Sequence, residues 1–197
     1  MTTEQVNRFY QRCIFGTEEN KTVAAAKRAY RDLCRTIKFL NKDLEKRGIA
    51  YNNAIAALQY IETYINSDIS FNREMYDDFH KTLCNAIITL YKHDNVANLS
   101  YGQAQKWVNM TMKYLCVLMN VEENVWFKSV YNHIHIPIDS IVLKQASISF
   151  PNHFPEQKKI SWSNLDRERY IDIQTKFREV ITTAPMDWEF EIWNNAK

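Results

Sequence analysis

A chain of 197 residues can bury a substantial core, and one compact domain or two closely packed lobes is the natural expectation. A formal net charge of +2 neither announces a nucleic-acid binder nor excludes one, since a local basic patch suffices. No N-terminal apolar run reads as a signal peptide and no stretch approaches membrane-spanning length, so the expectation is a cytoplasmic protein with no membrane partner.

Only three Gly and four Pro punctuate the chain, which favours long helices. Aromatic residues make up 13%, which suits a well-filled core. Cys13, Cys34, Cys84 and Cys116 show no CxxC spacing and fall within expected helices, consistent with reduced thiols.

From Thr22 to Arg47, apolar residues from Val23 through Tyr30 and Ile37 to Leu44 recur every three or four positions. This predicts one amphipathic helix with Gly48 as its C-terminal cap. Its outer face carries Lys27, Arg28, Arg31, Arg35, Lys38, Lys42 and Lys46, which a solvated surface explains as well as DNA contact does. Tyr51, Ile55, Leu58, Ile61 and Ile65 define a second helix. Residues 66–75 read as a connection, and Asp77 or Asp78 opens a third helix through Phe79, Leu83, Ile87 and Tyr91. A polar hairpin with Asp94, Asn95, Asn98 and Ser100 leads to Gly102. The next helix runs to about Met119 and becomes apolar all round, which places it at the centre of the fold. A short helix follows Pro137, an irregular crossing spans 149–162, and two terminal helices cover Asn164–Ile181 and the residues after Pro185. With no strand alternation, the expectation is an all-α fold: one domain over 1–197, built as two packed helical lobes with a cleft between them.

Two residues stand out. Lys106 lies in the first turns of the central helix, where a solvated face no longer accounts for it. Asp139, in "HIPIDSIV", follows Pro137 at the N-cap of its own helix. Helix, glycine hairpin, helix opening with lysine, then "PID" 33 residues later resembles the helix-hairpin-helix DNA glycosylase superfamily, most closely its archaeal 8-oxoguanine branch. The resemblance covers about 84–147, with the hairpin motif at about 77–119 and the aspartate segment at about 133–147. "SYGQAQK" departs from the family's "LPGVGPK" type of hairpin, and the iron–sulfur cysteine cluster of some members is absent.

The resemblance implies a DNA glycosylase, with AP lyase activity, that excises an oxidised or otherwise modified base from double-stranded DNA. An 8-oxoguanine-like base is the first guess. It implies Lys106 and Asp139 as catalytic residues, no cofactor or metal, and a monomer, nucleoid-associated if bacterial. Backbone N–H groups at Leu99, Ser100, Tyr101, Gly102 and Gln103 would hold a DNA phosphate. Trp107, Trp126, His133 and His135 are candidates for a flipped-base pocket, although core packing is the default reading for each tryptophan. His133 and His135 form an HxH pair with no nearby Cys or Glu to complete a metal set.

The chemistry of the two residues fits this. A helix N-terminus and apolar surroundings disfavour an ammonium and so favour a nucleophilic amine, while a carboxylate at an N-cap suits stabilisation of positive charge at C1′. The geometric expectation is that carboxylate and amine share one cleft, within about 4–8 Å of each other. That cleft should be lined by an aromatic residue and open towards Ser100–Gly102. Two other readings stand beside this one: a non-catalytic helical module that binds DNA or a protein, and a phage-defence glycosylase acting on modified phage DNA.

Overall fold

The long helix that the apolar seam predicts breaks after Leu33, and a second one starts from the N-cap Asp43. Its side chain accepts from the N–H groups of Glu45 and Lys46, starting a new helix where periodicity alone would continue the old one. A computed structural model describes residues 1–66, 72–119, 125–155 and 160–195, with the backbone only at Val125 and Trp126. The helices are α1 (Thr3–Phe15), α2 (Lys21–Leu33), α3 (Leu44–Ile65), α4 (Arg73–Lys92), α5 (Tyr101–Leu118), α6 (Val125–Tyr131), α7 (Ser140–Ser149), α8 (Arg167–Val180) and α9 (Pro185–Asn195). Among the described residues there is no strand, only an isolated bridge between Phe39 and Ala97, and the fold is all-α.

Gly48 therefore sits inside α3 rather than capping α2, and a 3₁₀ turn at Cys34–Thr36 closes α2. The third expected helix begins earlier than Asp77. Asn72 caps it by accepting from Met75 N–H, which lets Arg73 start α4. Residues 67–71 of the expected connection lie outside the described residues.

α5 is the central helix, and every residue from Tyr101 to Lys113 is buried. Ala25, Ala26 and Ala29 line the facing side of α2, and their small side chains let the two helices lie close. Trp107 fills the space beside them, fully buried. Its Nε1–H donates to the carbonyl of Ala26 at 3.0 Å, and its ring packs among Tyr30, Tyr51 and Tyr91. The two expected lobes share one continuous hydrophobic core that runs from Val23 to Ile192. α1 buries no residue. Among the described residues no helix is long and apolar enough to cross a membrane.

Candidate functional site: a lysine–aspartate cleft

The site starts from how α5 begins. Ser100 and Gln103 form a capping box: Gln103 N–H donates to Ser100 Oγ, and Ser100 N–H donates to Gln103 Oε1, both at 3.0 Å. Gly102 N–H donates to the carbonyl of Leu165 at 2.9 Å, and the residue passes so close to the 162–165 segment that a Cβ there would lie 1.9 Å from Trp162 O. The glycine is required by this close approach.

Of the residues expected to hold a phosphate, Leu99, Ser100, Tyr101, Gly102 and Gln103, three have their N–H groups engaged within the chain: Ser100, Gly102 and Gln103. Ser100 Oγ donates to Ser163 O, and Gln103 Nε2 donates to Thr36 O at 2.7 Å. Leu99 and Tyr101 are buried. The donors that a phosphate would need at Gly102 and Gln103 are spent on the chain itself.

Gln105 and Lys106 then make two consecutive contacts across the same 33-residue offset. Gln105 Nε2 donates to Ile138 O at 2.9 Å, and Ile138 N–H donates back to Gln105 Oε1 at 3.2 Å. The side-chain amide thus pairs with the extended backbone as a neighbouring strand would. Gln174 does the same to Ile136, donating to its carbonyl at 2.7 Å and accepting from its N–H at 3.2 Å. With 136–138 pinned in this way, the next residue presents its side chain to Lys106. Lys106 Nζ lies 2.6 Å from Asp139 Oδ2, and the two residues are 3% and 7% exposed. The separation is shorter than the expected 4–8 Å because the pair is in direct, desolvated contact. Asp139 Oδ1 accepts from Val142 N–H at 2.8 Å, so the residue is the N-cap of α7, as its place after Pro137 predicts.

A cleft of about 440 Å³ opens over this pair. Arg28, Asp32, Arg35 and Lys113 line it with Lys106 and Asp139, and Tyr114, Trp162 and Trp193 supply aromatic surface. The hairpin residues do not line it, contrary to the expectation that it opens towards Ser100–Gly102.

Sequence reasoning missed a second pair in the same cleft. Lys113 Nζ lies 2.8 and 2.7 Å from the two oxygens of the fully buried Glu189, and sits over the rings of Phe190 and Trp193. Burial lowers the pKa of Lys113 and raises that of Glu189, each opposed by the attraction of the other. The signal available was Lys113 itself, two helical turns beyond Lys106 on the same face of α5.

Two of the base-pocket candidates belong elsewhere. Trp107 is core. His135 is buried against Tyr76, with Nδ1 2.7 Å from Tyr170 Oη and Nε2 2.7 Å from both Asp77 Oδ1 and Arg178 Nη2. It serves a polar cluster with His80 and Asn109, and burial pushes its pKa down to about 4. His133 is half-buried and does not line the cleft. The side chain of Trp126 lies outside the described residues. The aromatic groups that do face the cleft are Tyr114, Trp162 and Trp193. No family model, curated protein or solved structure matches the chain, so the site is read from its own geometry.

Proposed function

We propose that the protein is a DNA glycosylase with an associated lyase step, Lys106 acting as nucleophile and Asp139 as the charge that steadies the reacting sugar. The observation that carries this reading is the 2.6 Å contact between Lys106 Nζ and Asp139 Oδ2 at the floor of an aromatic-lined cleft. In this reading the contact opens when a nucleotide enters. The Lys106 ammonium passes a proton to the departing base, the neutral amine so formed attacks C1′, and the glycosidic bond breaks with its electron pair going to the base. Asp139 then faces the positive charge developing at C1′, where a carboxylate fixed by Val142 N–H needs no reorganisation. Opening of the C1′–O4′ bond gives a Schiff base, from which loss of a C2′ proton expels the 3′ phosphate.

An oxidised or otherwise modified base is the proposed substrate, and Trp162 and Trp193 are the rings on which it would stack. A second reading draws on the same contact. A fully paired Lys106–Asp139 also clamps α5 to α7 without any chemistry, as it would in a non-catalytic binding module.

Borohydride trapping separates the two, using duplexes that carry an abasic site or a panel of modified bases. The expected result is a covalent complex with the wild-type protein and none with Lys106→Gln. Wild-type protein that traps nothing, or a Lys106→Gln variant that traps normally, overturns the proposal.

A further inference from the structure

The charged side chains of the cleft pair off almost completely. Arg28 Nη1 contacts Asp32 Oδ1 at 2.6 Å, and Tyr114 Oη donates to the other oxygen, Oδ2, also at 2.6 Å. Asp139 divides its oxygens between Lys106 and Val142 N–H. Glu189 turns both oxygens to Lys113. Each of these carboxylates is therefore committed, and each neutralises one cation. The cation left over is Arg35, which lines the cleft, is exposed, and among the described residues has no carboxylate partner.

Arg35 is nonetheless held in place from below. It is the middle residue of the 3₁₀ turn Cys34–Thr36. Thr36 Oγ1 donates to Leu33 O at 2.7 Å, and Gln103 Nε2 donates to Thr36 O, tying the turn to the first turn of α5. Ile37, directly after the turn, is buried in the core. The backbone beneath the side chain is fixed, and the residue is an exposed part of the cleft lining. Such an arrangement lowers the ordering cost of a contact made by a long side chain. An uncompensated, forked donor beside an otherwise neutralised cleft is suited to a phosphodiester, whose oxygens it can meet in a bidentate fashion.

We infer that Arg35 is a backbone-phosphate contact for the nucleic-acid strand entering the Lys106–Asp139 cleft, taking the place of the hairpin N–H groups that the chain has spent internally. This rests on the glycosylase reading and adds to it the residue that positions the strand.

The test is equilibrium binding to a duplex with a tetrahydrofuran abasic analogue, followed by fluorescence anisotropy between 50 and 200 mM salt. Arg35→Gln should reduce the slope of log K against log[salt] by about 0.9, one phosphate's worth, so that the fourfold rise in salt costs it about 3.5-fold less than it costs the wild type. Arg35→Lys should keep the wild-type slope, because the charge remains. Lys46→Gln serves as a control, since Lys46 lines a different hollow beside Ile49 and Thr89. An Arg35→Gln slope equal to that of the wild type overturns the inference while leaving the glycosylase reading intact. An equal loss of slope in Lys46→Gln also overturns it, because the effect would then belong to the whole surface. A wild-type protein that does not bind the duplex removes both.

Discussion

Replacing Asp139 by Asn leaves an oxygen for Val142 N–H and removes the charge facing Lys106. The side chains of the pair are only 4% and 10% exposed, so the ammonium would be left in a desolvated place without a counter-charge. Stranding one member of such a pair costs about 3–5 kcal/mol. In a chain of this length that corresponds to a Tm lower by roughly 6–20 °C, at about 2–4 °C per kcal/mol. Asp139→Ala should lose about 1 kcal/mol more, because the helix cap goes as well. In a Lys106→Met background the ammonium is gone, and Asp139→Asn should then cost about 1 kcal/mol or less. The coupling energy from the four proteins should come to roughly 2–4 kcal/mol, measured by urea denaturation with far-UV circular dichroism as the signal. Effects that add to within about 0.5 kcal/mol would refute the pairing.

Two further outcomes follow from other parts of the fold. Gly102→Ala sets a Cβ 1.9 Å from a backbone carbonyl, so it should destabilise by at least the roughly 1–3 kcal/mol typical of overpacking, and a wild-type Tm would show that 162–165 is not seated there. Stability should also fall as pH drops from about 6.5 towards about 4. His135 titrates at about 4 when folded against about 6.5 when unfolded, so the unfolded chain takes up the proton first, at a cost approaching about 3 kcal/mol. Burial lowers the pKa of His80 as well and acts in the same direction, whereas Glu189, whose pKa is raised, offsets part of the loss just above its unfolded value. Urea midpoints that stay flat between pH 4 and 6.5, or a His135→Gln variant with the full wild-type slope, would count against this account.

What the sequence revealed and what it hid divides by the range of the forces involved. Caps act over three or four residues, so Asp139 as the start of α7 was legible in "PID". The helix start at Asp43 was equally local but lost to a strong apolar period, although Asn41 and Asp43 were both visible turn-formers there. Lys113–Glu189 closes a separation of 76 residues, and nothing in the local pattern around Glu189 distinguishes a buried carboxylate from a solvated one. The internal use of the hairpin's N–H groups was hidden for a different reason. Backbone N–H groups beside a small residue serve a ligand or the chain's own carbonyls equally well, and only the path of 162–165 decides between them.

That path also explains why the first turns of α5 carry so much of the site. Gln103 reaches Thr36, Gln105 reaches Ile138 and Lys106 reaches Asp139, so "GQAQK" ties two remote segments of chain to one helix end. Gly102 brings a third, because the absence of a Cβ lets Leu165 approach. Each glutamine is buried with its amide engaged, as an apolar environment demands of a polar group that is to remain there. The backbone on both sides of the cleft is thereby fixed by contacts within the chain before any ligand arrives. A lysine that must leave its partner to react can then do so by changing rotamer while the carboxylate stays where α7 holds it, and this is the movement that the proposed chemistry requires.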